Sequence, residues 1–434
     1  MSLEQFCSQI SHDDFVTPYG QVEKVRRDSI VTVLPRARVG ALCQIQSHNR
    51  PVSVEVVSLS REGHVAMPLD DLQGVQLGDA VRLEEQMAQI PVGEALLGSV
   101  IDSMGASYES STPLRLDERM PLYGIPSNPL TRSPIIDSLD LGIRSINACL
   151  TCGKGQRVGI FSGSGVGKSI LLGMMARFTA ADVVVIGLVG ERGREVREFI
   201  ENELGEEGRK KSVLVVETSD KSPVRRCRAA YVATTVAEYF RSRGAHVLLL
   251  MDSLTRFAMA QREIGLAAGE PPTAKGYPPS VFANLAKLVE RAGNWGANGS
   301  ITGLYTVLVE GDDLEDPVAD HARATLDGHI VLARKLANRG HYPAVDILTS
   351  VSRVMDQITE APQIAAARKM KEILSRYLDN EDAIHYGMYA PGTDTLIDQC
   401  IELEPKIRQF LGQERLERAT LEQSVSLLNQ LISL

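Results

Sequence analysis

The sequence predicts an α/β chain: a mostly parallel sheet covered by helices, preceded by a small β-barrel and followed by a helical domain. Three observations lead there. Between about Ile135 and Asp356, continuous apolar runs alternate with helical segments, the pattern of a parallel sheet buried on both faces. From about Tyr19 to Glu85, short strands are punctuated by glycine turns. After Asp356 the spacing of apolar residues is helical to the end.

Composition fits that class. The chain has 434 residues, enough for two or three domains, with 44% hydrophobic and 23% charged content. A net charge of −9 argues against a nucleic-acid or anionic-membrane surface, although a local basic patch is compatible with it. The start, Met1-Ser2-Leu3-Glu4-Gln5-Phe6, has no basic leader and no apolar core of a secretory signal. No run reaches the roughly 18 apolar residues of a membrane-spanning helix. The six cysteines are scattered and suit a reducing compartment. Cys149-x-x-Cys152 is either a redox or zinc pair or two small buried thiols; it has no second pair nearby.

In residues 1–18, Leu3, Phe6, Cys7 and Ile10 fall on one helical face, which suits docking on the chain's own domain or binding a partner. Residues 19–88 carry Gln21–Val25, Ser29–Leu34, Val52–Val57, His64–Met67 and Ala80–Leu83, five strands of a five- or six-stranded barrel. Residues 89–358 form the core, with a Pro-, Gly- and Ser-rich connector over 89–134. Its expected strands are Arg157–Phe161, Val183–Val189, Val213–Val216, Val247–Met251, Ile301–Val309 and His329–Ala333. A helix starts at Ser222-Pro223, where serine caps and proline suits the first turn. Residues 359–434 carry the stripes Ile364, Met370, Ile373, Leu374, Tyr377 and Leu421, Val425, Leu428, Ile432.

The chemistry centres on Ser162-Gly163-Ser164-Gly165-Val166-Gly167-Lys168-Ser169, set between an apolar strand and a helix. That context is what a phosphate-binding loop needs. Glycines let backbone N–H groups close on an anion, and the helix N-terminus adds partial positive charge. Lys168 would reach the β- and γ-phosphates and the Ser169 hydroxyl would ligate Mg²⁺. Ser162 stands where the pattern has glycine; a small residue is tolerable there. The alternative is an ordinary glycine-rich turn. Asp252 ends an apolar strand, Val247–Met251, as a second Mg²⁺ contact does. Glu191 follows Val183–Val189 at a strand end facing the ligand crevice. It is a candidate to activate water, with Arg192 offsetting charge; pattern alone equally fits a solvated helix start.

With Asp252-Ser253-Leu254-Thr255-Arg256-Phe257-Ala258, Pro271-Pro272-Thr273-Ala274-Lys275-Gly276-Tyr277-Pro278-Pro279-Ser280, Asp312-Asp313-Leu314-Glu315-Asp316-Pro317 and Pro343-Ala344-Val345-Asp346 before Ser350 and Ser352, these motifs resemble those of the hexameric ATPases that share the rotary ATP synthase architecture. The likeness is greatest to the type III secretion and flagellar export ATPases and covers nearly the whole chain. It implies a RecA-like P-loop core that binds ATP and Mg²⁺. Ser162, Gly163, Ser164, Gly165, Val166, Gly167, Lys168 and Ser169 would hold the phosphates, and Ser169 and Asp252 the metal. Glu191 would be the catalytic glutamate, with Lys168, Arg192 and Arg256 near the γ-phosphate. Tyr342 would stack on adenine and Phe410, in Phe410-Leu411-Gly412-Gln413, would close that pocket. Arg353 would be a finger supplied to a neighbour, so activity would need a ring, a homohexamer.

The resemblance further implies a stator-like regulator on the N-terminal segment, a central stalk protein, and an export gate receiving chaperone–substrate complexes. Hydrolysis would energise chaperone release and export, in the cytoplasm at the inner-membrane apparatus, flagellar or injectisome. Where rotary catalytic subunits carry an acidic loop, this chain has Tyr389-Ala390-Pro391-Gly392-Thr393-Asp394, which argues against that role. A rotary ATPase subunit, a hexameric RNA or DNA translocase and a nucleotide-binding scaffold are the competing readings. The translocase needs stacking aromatics on the barrel, and residues 20–85 contain no Phe, Tyr or Trp.

Overall fold

A computed structural model describes residues 19–433 apart from positions 49, 62, 111, 117, 125–127, 310, 312 and 314. The stripe Leu3, Phe6, Cys7, Ile10 lies outside the described residues, as do Asp312 and Leu314.

The barrel is closed and built from β1 (Tyr19–Val25), β2 (Ile30–Val33), β3 (Leu42–Gln46), β4 (Pro51–Ser60), β5 (Gly63–Pro68) and β6 (Ala80–Glu85), in the order β1-β2-β5-β4-β3-β6. All its pairs are antiparallel, and β6 returns to β1. Closure leaves no open edge. Strand β3 is the one not anticipated. Cys43 and Ile45 point inward with Gln44 and Gln46 between and after them, but the strand is only five residues long and offers two buried positions to read.

The core sheet has nine strands among the described residues. They include β7 (Val100–Ile101), β8 (Arg157–Ser162), β9 (Val183–Glu191), β10 (Ser212–Thr218), β11 (His246–Asp252), β12 (Ser300–Leu308), β13 (Gly328–Leu332) and β14 (Val345–Ser352). Eight of them run in the order β14-β13-β8-β12-β11-β9-β10-β7, and the ninth, the two-residue Gly293–Asn294, pairs antiparallel with β12 off that path. Neighbours from β13 to β7 are parallel. Two edges escaped the apolar-run criterion. β7 sits in the expected connector and is two residues long. β14 is antiparallel to β13, and its hydroxyls and Asp346 interrupt any apolar run.

That interruption has a structural cause. The register between β13 and β14 shifts between His329 and Val331. The Ser350 hydroxyl fills the gap: it accepts from the Val331 N–H at 2.9 Å and donates to the Asp346 carbonyl. Ser352 donates to the Thr151 carbonyl at 2.9 Å. The Asp346, Ser350 and Ser352 positions therefore pin a bulged edge strand.

Helices cover both faces. One face carries α2 (Pro223–Ser242), α3 (Leu254–Ala267) and α4 (Pro279–Val289), whose Tyr231, Phe257 and Leu285 join Leu249 and Tyr305 of the sheet. The Ser222 hydroxyl accepts from the Arg225 N–H and Pro223 takes the first turn, as expected. The other face carries α1 (Lys168–Phe178) and the C-terminal helices α5 (Ala361–His385), α6 (Thr395–Leu411) and α7 (Leu421–Ile432). Met370, Ile407 and Leu428 pack into the same apolar cluster as Leu172 and Met175. Cys149 and Cys152 are fully buried, and burial pushes both thiols up to about 12, so they are inert packing groups. No helix of the described residues is long and apolar enough to cross a membrane.

Candidate active site

The site lies at the C-terminal ends of β8, β9 and β11, where loops of a parallel sheet converge. β8 ends at Ser162 and α1 begins at Lys168. Gly165 and Gly167 take φ of 76° and 87°, the left-handed region that side chains avoid. A Cβ on Gly167 would stand 3.3 Å from the Tyr342 ring, so this glycine also admits the aromatic. Val166 is buried and anchors the loop, while Ser164 and Ser169 face outward. The Ser162 hydroxyl is buried without a hydrogen-bond partner.

Three charged groups meet behind the loop. Lys168 Nζ donates to Asp252 Oδ1 at 2.5 Å and lies 3.9 Å from Glu191 Oε1. The Thr306 hydroxyl donates to the same Asp252 oxygen at 2.6 Å, fixing the carboxylate. Burial would lower the Lys168 ammonium, but the Asp252 and Glu191 charges outweigh it and hold it above its usual range. Burial, then the nearby Asp252 charge, push Glu191 up to about 7, against the pull of Lys168. Glu191 Oε1 is buried and has no hydrogen-bond partner.

The arginines divide. Arg256 is half-buried at the start of α3, and its charge acts on Glu191. Arg192 is 79% exposed and pairs with Glu195 at 3.5 Å, outside the cluster. Arg353 is exposed, donating to the Arg323 carbonyl at 3.2 Å. Its position follows from the direction of β14. Val345 pairs with Leu332, which pairs with Ser162, so this end of β14 lies at the phosphate loop. Ser352 pairs with Gly328, at the far end. Eight residue steps from Val345 put Arg353 about 26 Å along the strand from its own site.

Beside the loop, a cavity of 740 Å³ is lined by Gly167, Ile170, Leu171, Met174, Tyr342 and Pro343. That is ample for a nucleoside. Phe410 does not line it. Its side chain is buried in the C-terminal apolar cluster, because α6 turns that face onto α5 and α7. Its neighbours Gln409, Gly412 and Gln413 form the wall instead, with Arg144 behind them. Arg144, Gln413 and Thr306 were not picked out from the sequence. Gln413 stands within a quoted motif, whereas Thr306 is one of four hydroxyl residues in its strand and nothing in the pattern singles it out.

A hydroxyl on the first helical turn and a carboxylate at a neighbouring strand end are hard oxygen donors of the kind Mg²⁺ takes, so Ser169 and Asp252 fit that ion. Phosphate loop, buried acid cluster and an adjoining cavity large enough for a nucleoside define a P-loop nucleotide hydrolase. Comparison with known proteins narrows this. Residues 142–352 match the ATP synthase alpha/beta family, nucleotide-binding domain, and residues 359–430 the T3SS EscN ATPase C-terminal domain. A flagellum-specific ATP synthase of Pseudomonas aeruginosa is 51% identical, over 92% of this chain and 89% of the relative. One from Salmonella typhimurium is 48% identical, over 99% and 96%. The assembled ATPase EscN from the enteropathogenic E. coli type III secretion system superposes with a TM-score of 0.89 at 42% identity, over 95% of this chain and all of that one. The chain belongs to the flagellar and type III secretion ATPases. It is an ATP hydrolase whose turnover energises protein export.

Proposed function

We propose that ATP binds with its triphosphate on residues 162–169 and its base in the cavity under Tyr342. Lys168 leaves Asp252 for the phosphates, and Ser169 and Asp252 hold Mg²⁺, which when bound draws charge from the phosphate oxygens. Glu191 then orients and deprotonates the attacking water. The observation that carries this reading is Glu191 Oε1, buried without a hydrogen-bond partner and 3.9 Å from the phosphate lysine. Arg256 offsets charge near Glu191; Arg192 joins only if its pairing with Glu195 opens.

Arg353 completes the site of an adjacent copy, because β14 carries it to the opposite end of the sheet. That geometry supports a ring, a homohexamer by the resemblance, and solved relatives include EscN assembled and in complex with its central stalk EscO. The same reading gives this chain a central stalk partner, a stator-like regulator on residues 1–18, and an export gate with chaperone–substrate complexes, peripheral to the inner membrane on its cytoplasmic side. We assign the segments as 1–18, 19–88, 89–358 and 359–434. Glu191→Gln is expected to lower kcat by roughly 10²–10⁴-fold with little change in KM, read by steady-state phosphate release. Turnover at the unsubstituted rate would overturn the mechanism.

A further inference from the structure

The cavity's outer wall is tied together chiefly at one residue. Gln413 is 93% buried by its 7% exposure, and four hydrogen bonds converge on it. Its backbone N–H donates to the Tyr342 carbonyl at 2.9 Å. Its Oε1 accepts from the Arg144 N–H at 2.7 Å. Its Nε2 donates to the Gly142 and Glu417 carbonyls, both at 2.8 Å. One residue thus joins three parts of the wall: its side-chain amide ties the segment preceding β8 to the loop leaving α6, and its backbone N–H holds the residue whose ring lies over Gly167. Arg144 repeats the connection: its guanidinium donates to the Gly412 carbonyl at 2.7 Å and pairs with Glu417.

The side chain at this position must accept once and donate twice. An amide does so, whereas a carboxylate would set a negative oxygen against two carbonyls. Without it, the Glu417 carbonyl and the Arg144 N–H lose these bonds, and the Gly142 carbonyl keeps only the Ala419 N–H at 3.2 Å. The backbone bond to Tyr342 would then hang on a loosened loop. Nothing in this network touches Lys168, Glu191 or Asp252.

We propose that Gln413 is a positioning residue for the nucleotide base: it sets the width of the slot between Tyr342 and α1. This rests on the reading of the cavity as the base site. The test compares ATP with inorganic tripolyphosphate, which has the phosphates and no base. Gln413→Ala, and Gln413→Met, which keeps the volume, are expected to raise KM for ATP about tenfold, with kcat changed less than about twofold. Inhibition by tripolyphosphate should be unchanged. If Gln413→Ala does not fold, Gln413→Met carries the test. Tyr342→Ala is the control on the underlying reading. If Tyr342→Ala raises KM and the Gln413 variants do not, the positioning role is overturned while the base site stands. If the Gln413 variants weaken ATP and tripolyphosphate equally, or lower kcat with them, the role is general to the fold and the proposal is wrong. If Tyr342→Ala leaves KM unchanged, the base lies elsewhere and both readings go.

Discussion

At the scale of single residues, Glu191 is defined by its surroundings more than by its type. Burial and the Asp252 charge push its carboxyl up to about 7, so its proton is lost only near neutrality. A base must be ionised to accept a proton, so kcat/KM is expected to fall as pH drops below about 7. Glu191→Gln should lack that acidic limb in a pH–rate profile. The stability sign is opposite. A carboxyl raised in the folded state favours folding while protonated, and that advantage is lost as pH climbs from the ordinary carboxylate range through about 7. Glu191→Gln should therefore raise Tm at pH 8 more than at pH 5, by thermal melts at both. Glu191, Lys168 and Asp252 were legible because each ends a recognisable strand or opens a helix. Thr306 and Arg144 were not, because their roles depend on which distant backbone they meet. Phe410 was picked out by motif; its side chain follows the apolar face of α6, a choice that tertiary packing makes.

At the scale of elements, helix α2 fastens the barrel to the core. Arg228, 1% exposed, donates to Glu55 of β4 at 2.9 Å, and Tyr123 of the connector donates to the other oxygen of that carboxylate. Three residues farther out on the barrel side, Arg225 reaches Asp70 beyond β5, Asp102 and Glu217. Glu55→Ala would leave the Arg228 charge buried and unpaired, and is expected to cost about 3–5 kcal/mol in urea unfolding. Glu55→Leu with Arg228→Met should recover much of that, since a well-packed apolar pair can replace a buried ion pair. A double variant as unstable as Glu55→Ala would mean the loss lies in packing. Most core strands were visible as apolar runs. The exceptions, β7 and β14, are edges, where one side of the strand lacks a neighbour and polar residues are tolerated.

At the scale of the whole molecule, the proposed mechanism has the catalytic parts of one chain serve two sites. Arg353→Ala is expected to keep nucleotide affinity and lose turnover, since its own pocket is intact. Glu191→Gln spoils its own pocket and keeps the finger. Mixing the two inactive proteins should restore part of the activity, because some junctions then pair an intact Glu191 with an intact Arg353. A mixture that stays silent under conditions where rings form would rule out sharing across the junction. The sequence could place the finger only through resemblance. Its distance from the home pocket depends on β14 running against its one neighbour, β13, which no local pattern announces.

That reversed strand has a consequence for inheritance. In the proposed ring, β14 starts beside one copy's base slot and ends on the approach to the next copy's phosphates, so a residue inserted or deleted within it would disturb the spacing between the two. One faulty copy among normal ones would then disable two junctions, and such a change would behave as dominant.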